Sequence, residues 1–435
     1  MNFFVRLKVS MAYSMFPYLN NLSINYLRMY PLINKVMAIL NLLPEDTVLL
    51  CCARTSMDKA TIIKVKEALN CRLNWNYIIE TALQHGIAPL LYHNLSEMAD
   101  DGNGIPEKVV GYLRKLYNGN VARNILLYND LSKVLKAFKH AGIDVIVLKG
   151  AALAETVYHD IGLRPLSDID LLVRKKDLGI AKKTLSELGY MLDEEVSPEK
   201  YNEEFGCDLY YTGKVNILEI HWDIVRKTKS DRYTRIEIGR IWERAMPAKI
   251  AGVDTLVMSP EDMLLHSCVH LPKHRYNRLI WLSDIVEIIE HNDIDWGYVI
   301  ESAEEYRTKA YIYYGLHFTD VLLGCDIPEK VLNELKPPLV ERMVLSTVLK
   351  DVLSRERKIM PVFNLMKLLL IDRKRDRLRY FGTYLFPPVE SLARMYSVSG
   401  KRVYFYYIVH PVHVWFKTVR RLAAIVGSRT KKLYR

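Results

Sequence analysis

The residues of this 435-residue chain whose types and spacing suit chemistry are Asp168 and Asp170, in the run Ser-Asp-Ile-Asp-Leu-Leu-Val. Alternate side chains of a strand share a face, so the two carboxylates point together while Ile169 turns inward. Carboxylates that close repel each other unless a cation lies between them. The pair suits Mg²⁺, or Mn²⁺ in its place, because Mg²⁺ takes few carboxylates and completes its shell with water and phosphate oxygens. An Asp-x-Asp alone describes a solvated strand edge equally well. A second row bears on the choice: Glu219 and His221 stand two apart in Val-Asn-Ile-Leu-Glu-Ile-His-Trp-Asp, on the face opposite Leu218, Ile220 and Trp222. A third carboxylate can thus approach the pair, as phosphoryl transfer with two metal ions requires. Asp168, Asp170 and Glu219 are therefore the expected catalytic and metal-binding acids, against the alternative of a polar row on an antiparallel sheet.

Lys149-Gly150-Ala151 follows the apolar run Asp144-Val-Ile-Val-Leu148 and opens a helix. A glycine there lets backbone N–H groups approach a phosphate, and the helix N-terminus adds positive potential. Lys149 or Arg164 would offset triphosphate charge, although singly they also read as an ordinary turn and a surface arginine. His266, His270 and His274 fall at i, i+4 and i+8, with Cys268 between them. His266 and His270 share a helical face as zinc ligands do. Pro272 ends that helix before His274, and packing against the neighbouring domain is the plainer reading of the row.

Residues 30–130 read as helices, with apolar positions at three- and four-residue spacing in Val36-Met37-Leu40-Leu43, Ile78-Ile79-Ala82-Leu83 and Leu126–Phe138. The segment Asp144–Leu148 reads as a buried strand, Ala151–Tyr158 as a helix, Asp168–Val173 as a second strand and Asp177–Leu188 as a helix. A hairpin follows: Asp208–Thr212, a turn at Gly213-Lys214, then Val215–Val225. Ser259-Pro260-Glu261-Asp262 starts a helix with a serine cap and acids at its positive end. Trp75-Asn-Tyr-Ile-Ile-Glu-Thr-Ala82 is echoed by Trp296-Gly-Tyr-Val-Ile-Glu-Ser-Ala303, a shared way of docking a helix start. The fold class expected is α+β, a small mixed sheet with flanking helices inserted between helical regions. Its parts are an N-terminal helical region (1–125), a catalytic domain (126–258), a helical domain (259–345) and a basic, aromatic-rich tail (346–435).

Leu148-Lys149-Gly150, Tyr158, Arg164 and Ser167–Val173 resemble the DNA polymerase beta-type nucleotidyltransferase superfamily. More narrowly they are similar to its largely uncharacterised bacterial branch. Leu218–Trp222, Glu261–His274 and Arg278–Asp284 extend the likeness to roughly residues 35–330. The resemblance implies a minimal five-stranded mixed sheet, and an enzyme that uses NTP and Mg²⁺ to place NMP on an acceptor with loss of pyrophosphate. It matches Asp168 and Asp170 to the metal-binding acids and Gly150 to the phosphate-turn glycine, with Glu219 taken as the third acid. The nucleotide-binding set is then Lys149, Gly150, Ala151, Arg164 and Ser167. Candidate acceptor-side residues are His221, His266, His270, His274, Arg278 and Asp284. Two departures stand out: Ala151 occupies a place usually held by serine or a second glycine, and the stretch from Gly150 to Asp168 is long.

Half of the residues are hydrophobic, enough for a substantial core in two to three units. Six scattered cysteines with no Cys-x-x-Cys fit free thiols in a reducing cytoplasm. Arg6 and Lys8 break the apolar N-terminus, so no export signal is expected, and no run reaches the ~20 apolar residues of a membrane span. From residue 351 onward there are 19 Lys/Arg against 5 Asp/Glu, leaving 42 against 45 before it, so the charge of +11 is concentrated in the tail. There Arg373–Arg379, Tyr404–Tyr407, Trp415-Phe416, Arg420-Arg421 and Arg429–Arg435 interleave basic and aromatic residues. That mixture suits an anionic membrane surface or nucleic acid, or a merely solvated face. The expected location is cytoplasmic, or peripheral to the membrane, and the acceptor is a small molecule, a protein or a tRNA end. Two alternatives stay beside this reading: a glycosyltransferase holding a nucleotide sugar on Asp168-Ile169-Asp170, and a non-catalytic module docking on a membrane or anionic partner.

Overall fold

Helices begin the computed structural model, which describes residues 42–99, 104–192, 208–213, 217–225, 231–337, 367–414 and 416. They are α1 (Pro44–Cys51), α2 (Lys59–Leu69), α3 (Trp75–His85), α4 (Ala88–Ala99) and the long α5 (Glu107–His140). Alternation then sets in: β1 (Ile146–Val147), α6 (Lys149–Thr156), β2 (Ile169–Leu172), α7 (Leu178–Glu187), β3 (Met191–Leu192), β4 (Asp208–Thr212) and β5 (Ile217–His221). Next come α8 (Ile238–Arg244), β6 (Met246–Ile250) and β7 (Val253–Val257). Helices return as α9 (Pro260–His270), α10 (Leu279–Glu290), α11 (Trp296–Glu305), α12 (Lys309–Leu323), α13 (Glu329–Leu335), α14 (Lys374–Leu385) and α15 (Val389–Tyr396). The expected helical positions Val36–Leu40, Cys207, Lys214, Arg420, Arg421 and Arg429–Arg435 lie outside the described residues.

One mixed sheet carries the strands in the order β3-β4-β5-β2-β1-β7-β6, with helices before and after it in the chain, which is the α+β class read from the sequence. β2 runs parallel to β5 and antiparallel to β1, while β1 runs parallel to β7. The sheet has seven strands where five were implied. One addition is the β6–β7 hairpin, turned by Ala251 and Gly252 at φ +52° and +73°. Two successive left-handed residues give the tight turn whose twist matches the paired strands. The Glu155 carboxylate accepts the Ala251 N–H at 3.1 Å and so holds the unfavourable residue in place.

Alternation along β2 sorts its residues. Ile169 and Leu171 join Leu218 and Ile220 in a core covered by Leu127, Leu131, Val134 and Phe138 of α5. Each such side chain contributes roughly 1.5–3 kcal/mol on burial. Asp170 is thereby forced to the other face.

The helices on either side of the sheet segment are one packed body. Ser283 of α10 donates to the Ala53 carbonyl at 2.7 Å, and the Glu287 carboxylate accepts the Thr55 N–H and hydroxyl at 2.7 and 2.6 Å. The echo around Trp75 and Trp296 extends further than the sequence run. Asn74 and Asp295 each cap a helix by accepting a tyrosine N–H, from Tyr77 and Tyr298, at 3.1 Å. Glu45 and Glu261 accept the N–H of those capping residues, and Asp46 and Asp262 accept the two tyrosine hydroxyls. The same corner, built on Pro-Glu-Asp, is used twice. α9 and α12 cross so closely that a Cβ on Gly315 would lie 2.6 Å from Cys268 Sγ.

Candidate active site

Pairing fixes the centre of the site. In the β2–β5 register Asp170 lies beside Glu219, and Leu172 beside His221, so acid, acid and imidazole share one face. One ligand atom from each of Asp170, Glu219 and His221 lies within 4.8 Å of the others. This is the set of three among the described residues able to hold a metal ion. Asp168, expected with them, precedes the strand and stands outside that set, its Oδ1 accepting the Ser167 hydroxyl at 2.7 Å.

Lys149 completes the centre. It sits at the β1–α6 turn with φ +49°, a conformation costing a non-glycine residue about 1–3 kcal/mol. The Leu148 N–H donates to the Asp170 carbonyl at 3.0 Å, which pins the turn beside β2. The Lys149 ammonium then reaches Asp170 Oδ1 at 2.6 Å. His221 Nε2 reaches the same oxygen at 2.8 Å and Glu219 Oε2 at 3.4 Å, so in this state Nε2 carries the proton. Without that proton the same nitrogen could serve as a metal ligand.

The electrostatics follow from burial. Burial opposes the charge of Asp170, whose side chain is 4% exposed, but Lys149 and His221 outweigh it and hold the carboxyl well below the ordinary range. Burial raises Glu219, opposed by the hydrogen bond from His221 and reinforced by the charge of Asp170. Burial likewise works against Lys149, yet Asp170 and Glu219 keep its pKa above the usual lysine value. The donor set suits a divalent ion: two carboxylates and an imidazole converge where a cation, the lysine ammonium, already binds.

Around this centre the sequence-predicted residues divide into two groups. His266 shares a cavity lining with Lys149, and His270 and His274 continue the row from it, with the His266 and His270 rings 6.2 Å apart. Burial pushes His266 and His270 well below the usual imidazole range, leaving both neutral. His270 and His274 lie 4.4 Å apart between ring centroids, and Trp281 stands 4.5 Å from His274, with Arg278 over the indole at 5.8 Å. A cavity between β1, α6 and α9 is lined by both Lys149 and His266.

Arg164 and Asp284 point into each other instead. Arg164 Nε and Nη2 donate to the two Asp284 oxygens at 2.7 and 2.8 Å, and the Tyr158 hydroxyl donates to Oδ1 at 2.9 Å. The arginine is buried and roofs Gly150, where a Cβ would meet Leu166 Cδ2 at 2.7 Å and Arg164 Nη1 at 3.3 Å. The Ala151 carbonyl accepts the Tyr128 hydroxyl at 2.6 Å. The long stretch from Gly150 to Asp168 is α6 and a loop pinned to α5: Asn120 donates to the Gly162 carbonyl, and Asn124 to those of Ile161 and Arg164.

Sequence reasoning placed Lys149 against phosphate and His221 against the acceptor; the structure brings both to Asp170. The available signal was His221's spacing of two from Glu219. Five cysteines, Cys51, Cys52, Cys71, Cys268 and Cys325, are free thiols. Among the described residues no helix is long and apolar enough to cross a membrane.

The chain from residue 72 to 324 matches the model of a protein family described as uncharacterised nucleotidyltransferase, which is more than half of its length. No curated protein matches. Among the solved structures similar to it are two of the antibiotic-resistance factor ANT(2'')-Ia. One is a solution structure, at 14% identity, covering 46% of this chain and 90% of that one with a TM-score of 0.26. The other, in complex with adenylyl-2''-tobramycin, is 15% identical and covers 46% and 95%, with the same TM-score.

Proposed function

We propose, from the premise that this chain belongs to the family of uncharacterised nucleotidyltransferases, that it transfers NMP from an NTP to an acceptor at the Asp170 centre. The observation that carries the reading is the in-register pairing of Asp170 with Glu219 on parallel strands, with His221 on the same face. Asp170, Glu219 and His221 would hold Mg²⁺ or Mn²⁺, and Asp168, at the edge of the strand, would join them through water or substrate. The ion, when bound, supplies neutralisation of charge on the phosphates and polarisation of the reacting phosphorus.

In the transfer an acceptor oxygen bonds to the α-phosphorus while the bond from that phosphorus to the bridging oxygen of the β-phosphate breaks. Pyrophosphate leaves and the acceptor oxygen gives up its proton. Lys149 holds Asp170 charged before substrate arrives, and would turn to the phosphates once that carboxylate is engaged. Gly150 and Ser167 border the phosphate side. The neutral imidazoles of His266, His270 and His274 border the acceptor side, where they offer hydrogen-bonding ring nitrogens rather than a charge. Arg164 and Asp284 hold the phosphate turn through their mutual pair rather than through substrate. The acceptor is a small molecule, a protein or a tRNA end.

One observation favours a second reading. A lysine ammonium 2.6 Å from the central carboxylate is a built-in cation, as a non-catalytic nucleotide-binding module would have. Incubating the protein with Mg²⁺ and each NTP, then measuring pyrophosphate and the masses of protein and co-purifying material, separates the two. Transfer that falls about a hundred-fold or more in Asp170→Asn and Glu219→Gln is expected for the enzyme. Transfer unchanged in Asp170→Asn sinks the assignment of the site, and no turnover of any NTP supports the module.

A further inference from the structure

We propose that the segment 400–416 is a docking surface for an anionic lipid face. Residues 406–414 are helical and sit on a built platform. His410 bonds the Tyr396 hydroxyl at 2.8 Å and the Tyr384 carbonyl at 3.2 Å, and Tyr396 stacks on Tyr406 at 4.2 Å. Val403, His410 and Val414 are buried on that inner side. Phe405, Ile408, Val412 and Phe416, at spacings of three, four and four, fall on the opposite side of the helix. They are 64%, 70%, 52% and 69% exposed. A helix anchored by one side and apolar on the other leaves a hydrophobic stripe facing outward.

Charge complementarity identifies what meets it. From residue 391 to the end the chain has no Asp or Glu, and Arg394, Lys401 and Arg402 are exposed beside the stripe in sequence. Basic residues flanking inserted aromatic and aliphatic side chains are what an amphipathic segment presents to anionic headgroups. Nucleic acid fits less well, because Ile408 and Val412 offer bases no stacking face. A second copy fits less well, because like charges would meet across the contact.

Flotation of the purified full chain with vesicles of equimolar phosphatidylglycerol and phosphatidylcholine tests this. Partitioning into those vesicles, weakened by salt and absent with phosphatidylcholine alone, is the expected result. Phe405→Glu with Ile408→Glu lowers the bound fraction about ten-fold or more. Ile180→Glu, a control on an exposed residue of α7, leaves it unchanged. An unaltered circular dichroism spectrum and melting curve for the double variant show that its fold is kept. Failure to float with the anionic vesicles, or equal flotation of the double variant, overturns the proposal. So does loss in that variant of RNA binding or of dimerisation with flotation intact. Pyrophosphate release without lipid is untouched by these substitutions, so failure here is distinguishable from failure of the proposed transfer.

Discussion

The Lys149 ammonium lies 2.6 Å from Asp170 Oδ1, across a turn that forces Lys149 to φ +49°. The carboxylate is nearly fully buried and two cationic or proton-bearing groups converge on it. The ion pair keeps a buried acid ionised, and under the proposed transfer it holds the place that a substrate cation would take.

Removing the placeholder has a distinctive consequence. Lys149→Met leaves the Asp170 charge buried with only His221 beside it, a loss of about 3 kcal/mol by the cost of breaking a buried pair. Mg²⁺ should then raise the melting temperature of Lys149→Met more than that of the unaltered protein. A variant as stable as the parent and indifferent to Mg²⁺ would show that Asp170 needs no cation.

Arg164 and Asp284 make the second buried pair, joined by the Tyr158 hydroxyl. Asp284→Ala strands a buried guanidinium and should cost about 3–5 kcal/mol. Because that guanidinium roofs Gly150, the variant should also weaken nucleotide binding, measured by calorimetry at a temperature where it remains folded. Unchanged stability and affinity together would refute the coupling of α10 to the turn.

Gly150→Ala places a methyl 2.7 Å from Leu166 Cδ2 and close to Arg164. Overpacking of this kind costs about 1–3 kcal/mol. Leu166→Ala opens space there, so the double variant should be less destabilised than the sum of the two single changes. Additive losses in urea melts would place the strain elsewhere.

The pH dependence of stability has a definite sign. Burial lowers His317, stacked on Tyr313, from 6.5 to about 4, and burial aided by Lys149 lowers His274, which is open on one side, to the same value. The unfolded chain takes up these protons near pH 6.5 and the folded chain does not, so stability falls as pH drops from about 6.5 to about 4. Burial raises Asp320 from 3.8 to about 6, which works in the opposite direction. With that term removed, Asp320→Asn should melt more steeply with acid than the parent. A melting temperature flat between pH 7 and 5 would contradict the lowered titration of these imidazoles.

The alternating strands and the serine cap at Ser259 were legible because period-two runs and capping residues act locally. Asp170 on its strand, and Glu219 with His221 on theirs, were legible as polar positions facing away from the apolar ones, since alternation within a strand assigns them. Three things were not. The β6–β7 hairpin is hidden although Ala251-Gly252 marks its turn, because its strand residues Met246–Ile250 alternate weakly. Asp168 reads like Asp170 in sequence, and only the point where β2 starts separates them. The pairing of Arg164 with Asp284 spans 120 residues, a contact made by packing α10 on the sheet's helical neighbours, on which periodicity is silent.

The central claim is that Asp170 and Glu219 hold a divalent ion with a nucleotide, and Mn²⁺ titration followed by electron paramagnetic resonance reads this most directly. With a non-hydrolysable NTP present, the protein should sequester Mn²⁺, and Asp170→Asn or Glu219→Gln should weaken that binding about ten-fold or more. Equal Mn²⁺ affinity in the parent and in Asp170→Asn would contradict the account.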